Sequence, residues 1–266
     1  MNIAIVGTGN MGKAILKGLL DNNFPKSNIL ALTKSSESKD KVSKEFGIKT
    51  SNDLSLIKDF DVIILGIKPQ SMNEVLIELN KHINNNSLII SLAVGVTTKK
   101  IEETLNISQI KVVRAMPNTP ALVGKGVTGI AKGTFAGEKE LKIANDLLSS
   151  VGKVFEVDEK LIDVLAATSG SGPAYYFYVT ENLIKAATEL GLNKDLAKTL
   201  VENTFFGASQ LLEQSAEDAS ELRKKVTSPK GTTLAALEEL DKNNFAEIWK
   251  KALSAAVKRA DEISKS

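Results

Sequence analysis

The segment that most constrains the fold stands at the start of the chain, where the apolar run from Ile3 to Val6 leads directly into a glycine-rich turn. In the pattern Gly-x-Gly-x-x-Gly, the first glycine permits a tight strand-to-helix turn, the second lets the backbone approach a pyrophosphate, and the third lets helix and strand pack closely. The N-terminus of the following helix would offer unpaired N–H groups to the phosphates. A purely structural turn is the alternative, but the order strand, turn, helix is the context that a dinucleotide site requires. The pattern therefore predicts dinucleotide binding at Gly7, Thr8, Gly9, Asn10, Met11 and Gly12.

The first half of the chain alternates between short runs rich in Ile and Val and longer stretches with helical periodicity. The predicted strands cover residues 3–6, 29–32, 62–65, 88–92, 112–115, 127–131 and 153–157. Such alternation builds a parallel sheet with helices on both faces. After residue 158 the strand-like runs give way to alanine-rich helical patterns. We therefore predict an α/β chain with an N-terminal Rossmann-like, doubly wound sheet over residues 1–158 and an all-α C-terminal domain over residues 159–266.

One predicted helix of the second half, over residues 173–190, is apolar around more than one face. The residues responsible are Tyr175, Tyr176, Phe177, Tyr178, Val179, Leu183 and Ile184. A helix that is apolar nearly all round must be buried nearly all round, and about 100 residues provide a limited interior. Dimerisation through this domain explains the pattern. A central helix within a single-chain bundle is the alternative that periodicity leaves open.

The end of the second predicted strand indicates which dinucleotide is bound. NAD sites place an acidic residue there for the ribose 2′-hydroxyl, whereas NADP sites need positive or donor groups for a 2′-phosphate. Here the strand leads into Thr33, Lys34 and Ser35, and the first acidic residue is Glu37. We therefore predict that these three residues bind NADPH in preference to NADH, with an exposed polar loop as the alternative.

Other predicted cofactor residues follow the remaining strands, at the carboxyl edge where ligands bind in open α/β sheets. They are Ile67, Lys68, Pro69, Gln70, Ala93, Met116, Pro117 and Asn118. Pro117 and Pro120 would make their loop rigid, as is needed to hold a nicotinamide against a reacting carbon. Met116 could instead fill the core, and Asn118 could be a turn residue.

Two further segments open helices of the second half. Helix capping explains Ser171 and Pro173 but not Gly170 and Gly172, which indicate close approach of a ligand or another backbone. In the second segment, a glycine and hydroxyl side chains at a helix N-terminus are suited to bind an anion, although an ordinary cap would look similar. Its candidate substrate-binding residues are Ser228, Gly231, Thr232 and Thr233.

The composition argues against several other functions. There are no cysteines and one histidine, His82, so disulfides, thiolate metal sites and a Ser-His-Asp triad are not expected, and we predict no metal. With 34 basic and 32 acidic residues, the chain lacks the basic surplus of a nucleic-acid binder. No apolar run reaches the ~20 residues that cross a bilayer. We expect a soluble, cytoplasmic protein with a small-molecule substrate.

Taken together, these motifs resemble those of the pyrroline-5-carboxylate reductase family. The resemblance lies in residues 5–12, 67–70, 116–120, 170–175 and 226–237, which follow the family's order over nearly the whole chain. It implies reduction of the C=N bond of 1-pyrroline-5-carboxylate by NADPH or NADH, giving L-proline in the last step of proline biosynthesis. It implies that Ser171 and Pro173 bind the cofactor on the nicotinamide side of the site. It also implies a homodimer or higher homo-oligomer, in which the partner subunit contributes the Gly231 loop to the site and Thr233 orients the substrate or relays a proton.

Two residues depart from the family pattern. Lys230 replaces the first glycine of the Ser-Pro-Gly-Gly-Thr-Thr loop, so the conformation of that loop is open, and Gly12 replaces a frequent alanine, which should change little. An NADP-binding sensor without turnover remains an alternative function. A β-hydroxyacid dehydrogenase is another, but that class uses a lysine followed by asparagine, and Lys185 is followed by Ala186.

Overall fold

An eight-stranded sheet organises the first half of the chain in the computed structural model, which describes residues 1–265. Its strands are Ile3–Val6 (β1), Ile29–Leu32 (β2), Lys49–Ser51 (β3), Val62–Leu65 (β4), Leu88–Ser91 (β5), Lys111–Met116 (β6), Gly126–Lys132 (β7) and Gly152–Glu156 (β8). They lie in the order β3-β2-β1-β4-β5-β6-β7-β8. The first six are parallel, β7 is antiparallel to β6, and β8 is parallel to β7.

Helices cover both faces of this sheet, as the alternation predicted. They are Asn10–Asp21 (α1), Ser36–Phe46 (α2), Met72–Leu79 (α3), Thr98–Leu105 (α4) and Glu138–Leu148 (α5). Alternate residues of β1 point to opposite faces. Ile3 and Ile5 share an apolar cluster with α1, α2 and α5, whereas Ala4 and Val6 share another with α3 and α4. Because both faces are covered, the central parallel strands are buried throughout and read as continuous apolar runs. The predicted doubly wound architecture is confirmed.

The remaining helices follow the sheet. They are Ile162–Leu165 (α6), Gly172–Glu189 (α7), Lys194–Gln214 (α8), Ala219–Lys225 (α9), Thr232–Lys242 (α10) and Phe245–Lys265 (α11). Helix α6 is short, because it changes into a π-helix at Ala166–Gly170. The short elements β3 and α9 were not predicted, since neither carries a run of apolar residues.

The chain forms two compact units, one from Met1 to Pro173 together with the chain end from Ala256, and one from Ala174 to Ala255. The segment after β8 belongs to the first unit, where Ile162 and Ala166 pack against Met116. The sequence placed a domain boundary after residue 158, whereas the compact units divide after Pro173. The domain boundary itself stays a prediction.

The helical unit has very little interior of its own. Among residues 174–255, all of which the structure describes, Ala197 alone is buried. Phe177 and Tyr178 on α7 are 70% and 67% exposed, and Phe206 on α8 is 64% exposed. Trp249 packs edge-on against Tyr175, with ring centroids 5.7 Å apart, but most large apolar side chains face outward. The apolar α7 predicted from the sequence is thus present, and a single copy of this unit leaves it uncovered.

Candidate functional site

The carboxyl ends of the parallel strands meet at one edge of the sheet. Val6 at the end of β1 pairs with Leu32 of β2 and with Leu65 of β4, and Leu65 pairs with Ser91 of β5. The chain turns from β1 to β2 on one side and later adds β4 on the other, so a topological switch point lies between β1 and β4. Ligands bind at such switch points in open α/β sheets. This edge brings together the predicted cofactor residues that follow β1, β2, β4, β5 and β6.

Three glycines form a close backbone contact at the switch point. Gly7 adopts φ +93°, and a Cβ atom there would lie 2.6 Å from the carbonyl oxygen of Gly66. A Cβ at Gly66 would in turn lie 2.8 Å from the carbonyl oxygen of Gly7. A Cβ at Gly12 would overlap that same oxygen, so the expectation that alanine would serve equally well there is not met by this backbone. Gly66 was not among the predicted site residues, although a glycine directly after a buried strand was a visible signal.

Gly9 lies at the N-terminus of α1 and faces open space. A Cβ at Gly9 would meet no heavy atom within 4 Å. No side chain caps this helix end, and its first turn contains no acidic residue. The first-turn N–H groups therefore remain available, and the absence of a side chain at Gly9 leaves room for a bulky anion. These features fit the pyrophosphate of a dinucleotide.

The three residues predicted to bind the 2′ position of the ribose differ in their surroundings. Thr33 is 6% exposed, and its hydroxyl donates to the carbonyl of Ser35 at 3.1 Å. The Ser35 hydroxyl accepts from the N–H of Ser38 at 3.3 Å and thereby caps α2. Lys34 is exposed and has no ion pair among residues 1–265. Of the three side chains, the lysine is therefore the one best placed to meet a phosphate.

Residues after β4 and β5 line the same edge. Lys68 and Gln70 are exposed, and Pro69 opens a 3-10 turn that leads into α3. Ile67 is half-buried and packs against the cluster that contains Ala93, which is 2% exposed. The exposed pair can contact a ligand through side chains, whereas the apolar pair shapes the edge beneath it.

Met116 and Asn118 after β6 are both buried. Met116 packs with Ala131, Ile162 and Ala166, which agrees with the alternative interpretation of this residue as core. The Asn118 side chain accepts from the N–H of Val127 at 2.8 Å and donates to the carbonyl of Ser169 at 3.0 Å. Both ends of the amide therefore have a partner in this chain, and the side chain ties the β6 loop to β7 and to the π-helix.

The segment before α7 lies beside this loop. A Cβ at Gly170 would lie 3.9 Å from the sulfur of Met116, so the Met116 side chain packs beside Gly170. Ser171 is exposed, Pro173 is half-buried, and Gly172 is buried. Of the two glycines that capping left unexplained, Gly170 thus lies beside the β6 loop, whereas a Cβ at Gly172 would meet no atom within 4 Å.

In the helical unit, a tight turn precedes α10. The N–H of Gly231 donates to the carbonyl of Ser228 at 3.0 Å. Pro229 in the second position and a left-handed Lys230 in the third, with φ +60°, are the features of a type II turn, which favours glycine in that third position. Lys230 therefore adopts a backbone conformation that favours glycine, at a cost of about 1 kcal/mol. This resolves the open question about the loop.

The N-terminus of α10 resembles that of α1, because no side chain accepts a hydrogen bond from its first-turn N–H groups. Gly231 is the N-cap, no side chain caps the helix, and no acidic residue lies in the first turn. A Cβ at Gly231 would overlap the Ser228 hydroxyl. Thr232 and Thr233 are exposed. The arrangement can offer backbone N–H groups and two hydroxyls to a carboxylate.

Ionisable groups away from this edge have ordinary partners. The Nε2 of His82 lies 3.3 Å from Glu78, and hydrogen bonds from Lys81 and then His82 hold the pKa of Glu78 below its usual value. Within residues 1–265, no group of three His, Asp or Glu side chains is placed to hold a metal ion. No helix of that described part is long and apolar enough to cross a membrane.

The fold and the glycine turn define a dinucleotide-binding oxidoreductase domain followed by a helical unit. Residues 2–95 match the family model of NADP oxidoreductases, coenzyme F420-dependent, and residues 159–263 match that of pyrroline-5-carboxylate reductase dimerisation. A pyrroline-5-carboxylate reductase of Corynebacterium melassecola is 39% identical over 99% of this chain and 98% of its own length. The chain belongs to the pyrroline-5-carboxylate reductase family.

Solved structures of pyrroline-5-carboxylate reductases also resemble this chain. A pyrroline-5-carboxylate reductase from Coxiella burnetii superposes with a TM-score of 0.94 at 39% identity, covering 100% of this chain and 99% of that one. The Plasmodium falciparum pyrroline carboxylate reductase, solved with NADP bound, gives a TM-score of 0.87 at 30% identity over 99% and 98% of the two chains.

The two glycines of the α1 turn should respond differently to alanine. Gly12→Ala would force the Gly7 carbonyl to move, so we expect a loss of about 1–3 kcal/mol in the free energy of unfolding. Gly9→Ala meets no atom of the protein and should leave the melting temperature nearly unchanged. Its methyl group would occupy the open space that fits a pyrophosphate, and the KM for NAD(P)H should rise roughly tenfold or more, as when one charge-assisted hydrogen bond is lost. Thermal unfolding and steady-state kinetics measure both effects. An equal loss of stability in the two variants would contradict the assignment.

Proposed function

We propose that the protein reduces the C=N bond of 1-pyrroline-5-carboxylate to give L-proline, with NADPH as the reductant. The observation that carries this proposal is the intact turn from Ser228 to Gly231, in which Lys230 adopts the conformation of a glycine, within a chain that belongs to the family along its whole length. NADP in the Plasmodium falciparum relative supports the choice of dinucleotide.

The residues of this chain would contribute binding and orientation. When bound, NADPH would supply the hydride that the imine carbon accepts. The free N–H groups beside Gly9 would hold the pyrophosphate, and Lys34 would pair with the 2′-phosphate. The N-terminus of α10 at Gly231, Thr232 and Thr233 would hold the substrate carboxylate and thereby orient the ring.

Reduction also requires a proton on the imine nitrogen, because an iminium accepts hydride far better than a neutral imine. Among the proposed site residues, the Thr233 hydroxyl is the group suited to relay that proton, directly or through water, since it can donate and accept at once. The substrate could also bind already protonated. In either case the protein need not supply an acid of its own with a shifted pKa.

The decisive assay is NADPH oxidation with 1-pyrroline-5-carboxylate, run beside NADP reduction with a β-hydroxyacid. Turnover of the imine and formation of proline would support the proposal. Turnover of the hydroxyacid alone would support the dehydrogenase alternative, against which the Lys185-Ala186 sequence already argues. Binding of NADPH without turnover of either compound would favour a sensor.

Lys34 should decide the preference for NADPH over NADH. Ser35 is unsuitable for this test because its hydroxyl caps α2. Lys34→Ala should raise the KM for NADPH about tenfold, since a charge-assisted hydrogen bond contributes roughly 1.5–3 kcal/mol, and should leave that for NADH unchanged. Lys44→Ala, which removes the same charge from the exposed far end of α2, is the control. Equal effects of Lys34→Ala on both cofactors, or a wild type that favours NADH, would remove the argument.

We also propose that the homo-oligomer is built from an obligate dimer of the helical unit. Ala197 is the one buried residue among residues 174–255, and side chains such as Phe177 and Phe206 are exposed, as in half of an obligate interface. Light scattering at low micromolar concentration should give at least twice the chain mass of 28.6 kDa. A folded, active monomer under those conditions would disprove the dimer.

Thr233→Ala should reduce catalytic efficiency with the imine by roughly tenfold to a hundredfold, because one charge-assisted hydrogen bond to the carboxylate contributes about 1.5–3 kcal/mol. The KM for NADPH should hardly change. Lys230→Gly is the matched control on the same turn, since it relieves the left-handed strain and should raise stability by about 1 kcal/mol while activity is retained. If Thr233→Ala leaves the efficiency intact, the carboxylate is bound elsewhere.

A further inference from the structure

A buried arginine interrupts the apolar face of β6. Side chains of a strand alternate between its faces, so Val112, Arg114 and Met116 share one face. Val112 belongs to the apolar cluster with α3 and α4, and Met116 belongs to the cluster with α6. Arg114 lies between them and is 2% exposed. An apolar side chain of similar length would continue this core without a charge to compensate.

Acidic residues from the segment over β6 compensate the charge. The Nη2 of Arg114 donates to Asp163 at 2.9 Å, and its Nη1 lies 3.8 Å from Glu159. Glu159 is itself fixed, because its carboxylate accepts from the N–H and the hydroxyl of Thr98, both at 2.7 Å. The Nε of Arg114 is buried and has no hydrogen-bond partner among residues 1–265. A buried, incompletely bonded ion pair is weak evidence for added stability, so its directional contacts need another explanation.

A second polar link joins the same two segments further along. The N–H of Ser171 donates to the carbonyl of Ala166 at 2.8 Å, as in a π-helix. In a regular α-helix the carbonyl of Ser169 would accept from the N–H of residue 173, but Pro173 has none. Asn118 supplies the missing donor at 3.0 Å. We call residues 116–118 the β6 exit and residues 166–172 the π segment. A hydrogen bond from Asn118 to Ser169 joins them, in addition to the ion pair that Arg114 makes with Asp163.

We propose that Arg114 is a positioning residue for hydride transfer. Its bond to Asp163 and the bond from Asn118 to Ser169 act as two separate attachments between β6 and the helix that covers it. One attachment would allow the covering helix to rotate or slide, and two attachments fix both motions. The β6 exit and the π segment, where a Cβ at Gly170 would lie 3.9 Å from the sulfur of Met116, are thereby held at a constant separation. The catalytic consequence rests on the proposed function and on the predicted cofactor residues Met116, Pro117 and Ser171, which lie in these two segments.

Arg114→Met tests the proposal, because methionine fills the space without the charge and the half-exposed carboxylates can take up water. The predicted result is a fall in kcat of about tenfold or more with little change in the KM for NADPH, since small misplacements of reacting groups have large effects on rate. The primary isotope effect on kcat with NADPH deuterated at the transferred position should increase. Arg114→Lys, which keeps the charge, should recover part of kcat.

Glu102→Gln is the matched control. The Glu102 carboxylate accepts from the N–H and the hydroxyl of Thr134, both at 2.7 Å, which reproduces the Glu159 contacts. It lies beside Gly133 and Val112, at the start of β6 rather than at the β6 exit. The Glu102→Gln variant should change the melting temperature about as much as Arg114→Met does, but it should leave kcat and the isotope effect at wild-type values. Asp163→Asn weakens the same attachment from the helix side and replaces Arg114→Met if that variant does not fold.

Hydrogen exchange of the backbone amides provides a readout that does not need turnover. Amides of the β6 exit and of the π segment should exchange about tenfold faster in Arg114→Met or Asp163→Asn than in wild type or Glu102→Gln, as expected when one attachment is lost. A wild type without imine reduction would refute the proposed function, and exchange alone would then decide the positioning role. Unchanged exchange, or a loss of kcat no greater than in Glu102→Gln, would overturn this inference.

Discussion

The contact among the backbones of Gly7, Gly12 and Gly66 is the constraint on which the rest of the nucleotide-binding unit depends. These glycines lie where β1 ends, α1 begins and β4 ends, and any side chain would separate them. Their contact sets how closely α1 approaches the sheet and where its N-terminus points. The carboxyl ends of the neighbouring strands then follow from the parallel register, in which Val6 pairs with both Leu32 and Leu65. One local backbone contact therefore places an entire ligand-binding edge.

The helical unit differs, because its apolar side chains are buried only if another surface covers them. Its helices are well formed. The Trp249 ring contacts Tyr175 and Phe245, with ring centroids 5.7 and 6.0 Å away, respectively. Yet Ala197 is its one buried residue within the fully described range 174–255. Helix stability in proteins comes mainly from packing of an apolar face. Residues 159–263 match a dimerisation family model, so the surface expected to cover these side chains is a second copy of the chain.

The sequence predicted those features that depend on local pattern. Strands such as β1 and β4 were found because burial on both faces leaves an uninterrupted apolar run, whereas the polar edge strand Lys49–Ser51 gave no such signal. The site was predicted at the level of loops, but not the use of each side chain. Asn118 bonds to Ser169 and Val127, and partners distant in sequence cannot be read from a motif. The conformation of Lys230 also required coordinates, since a lysine rarely adopts a left-handed backbone.

The N-termini of the helices differ in the charge that their first turns carry. The net charge of +2 is too small to attract anionic ligands over long distances, so local groups must do so. Among the helices of residues 1–265, α1, α4, α7 and α10 have no acidic residue in the first turn, whereas the other helices place a carboxylate there. The end of α4 is occupied by the carboxylate of Glu159, which accepts from Thr98. The start of α7 follows directly on the π-helix, so the free helix ends without a carboxylate are those of α1 and α10, which the glycine-containing motifs assigned to cofactor and to substrate. Because an acidic side chain there would compete with a bound anion, its absence at both ends is what sites for a dinucleotide and for a carboxylate require.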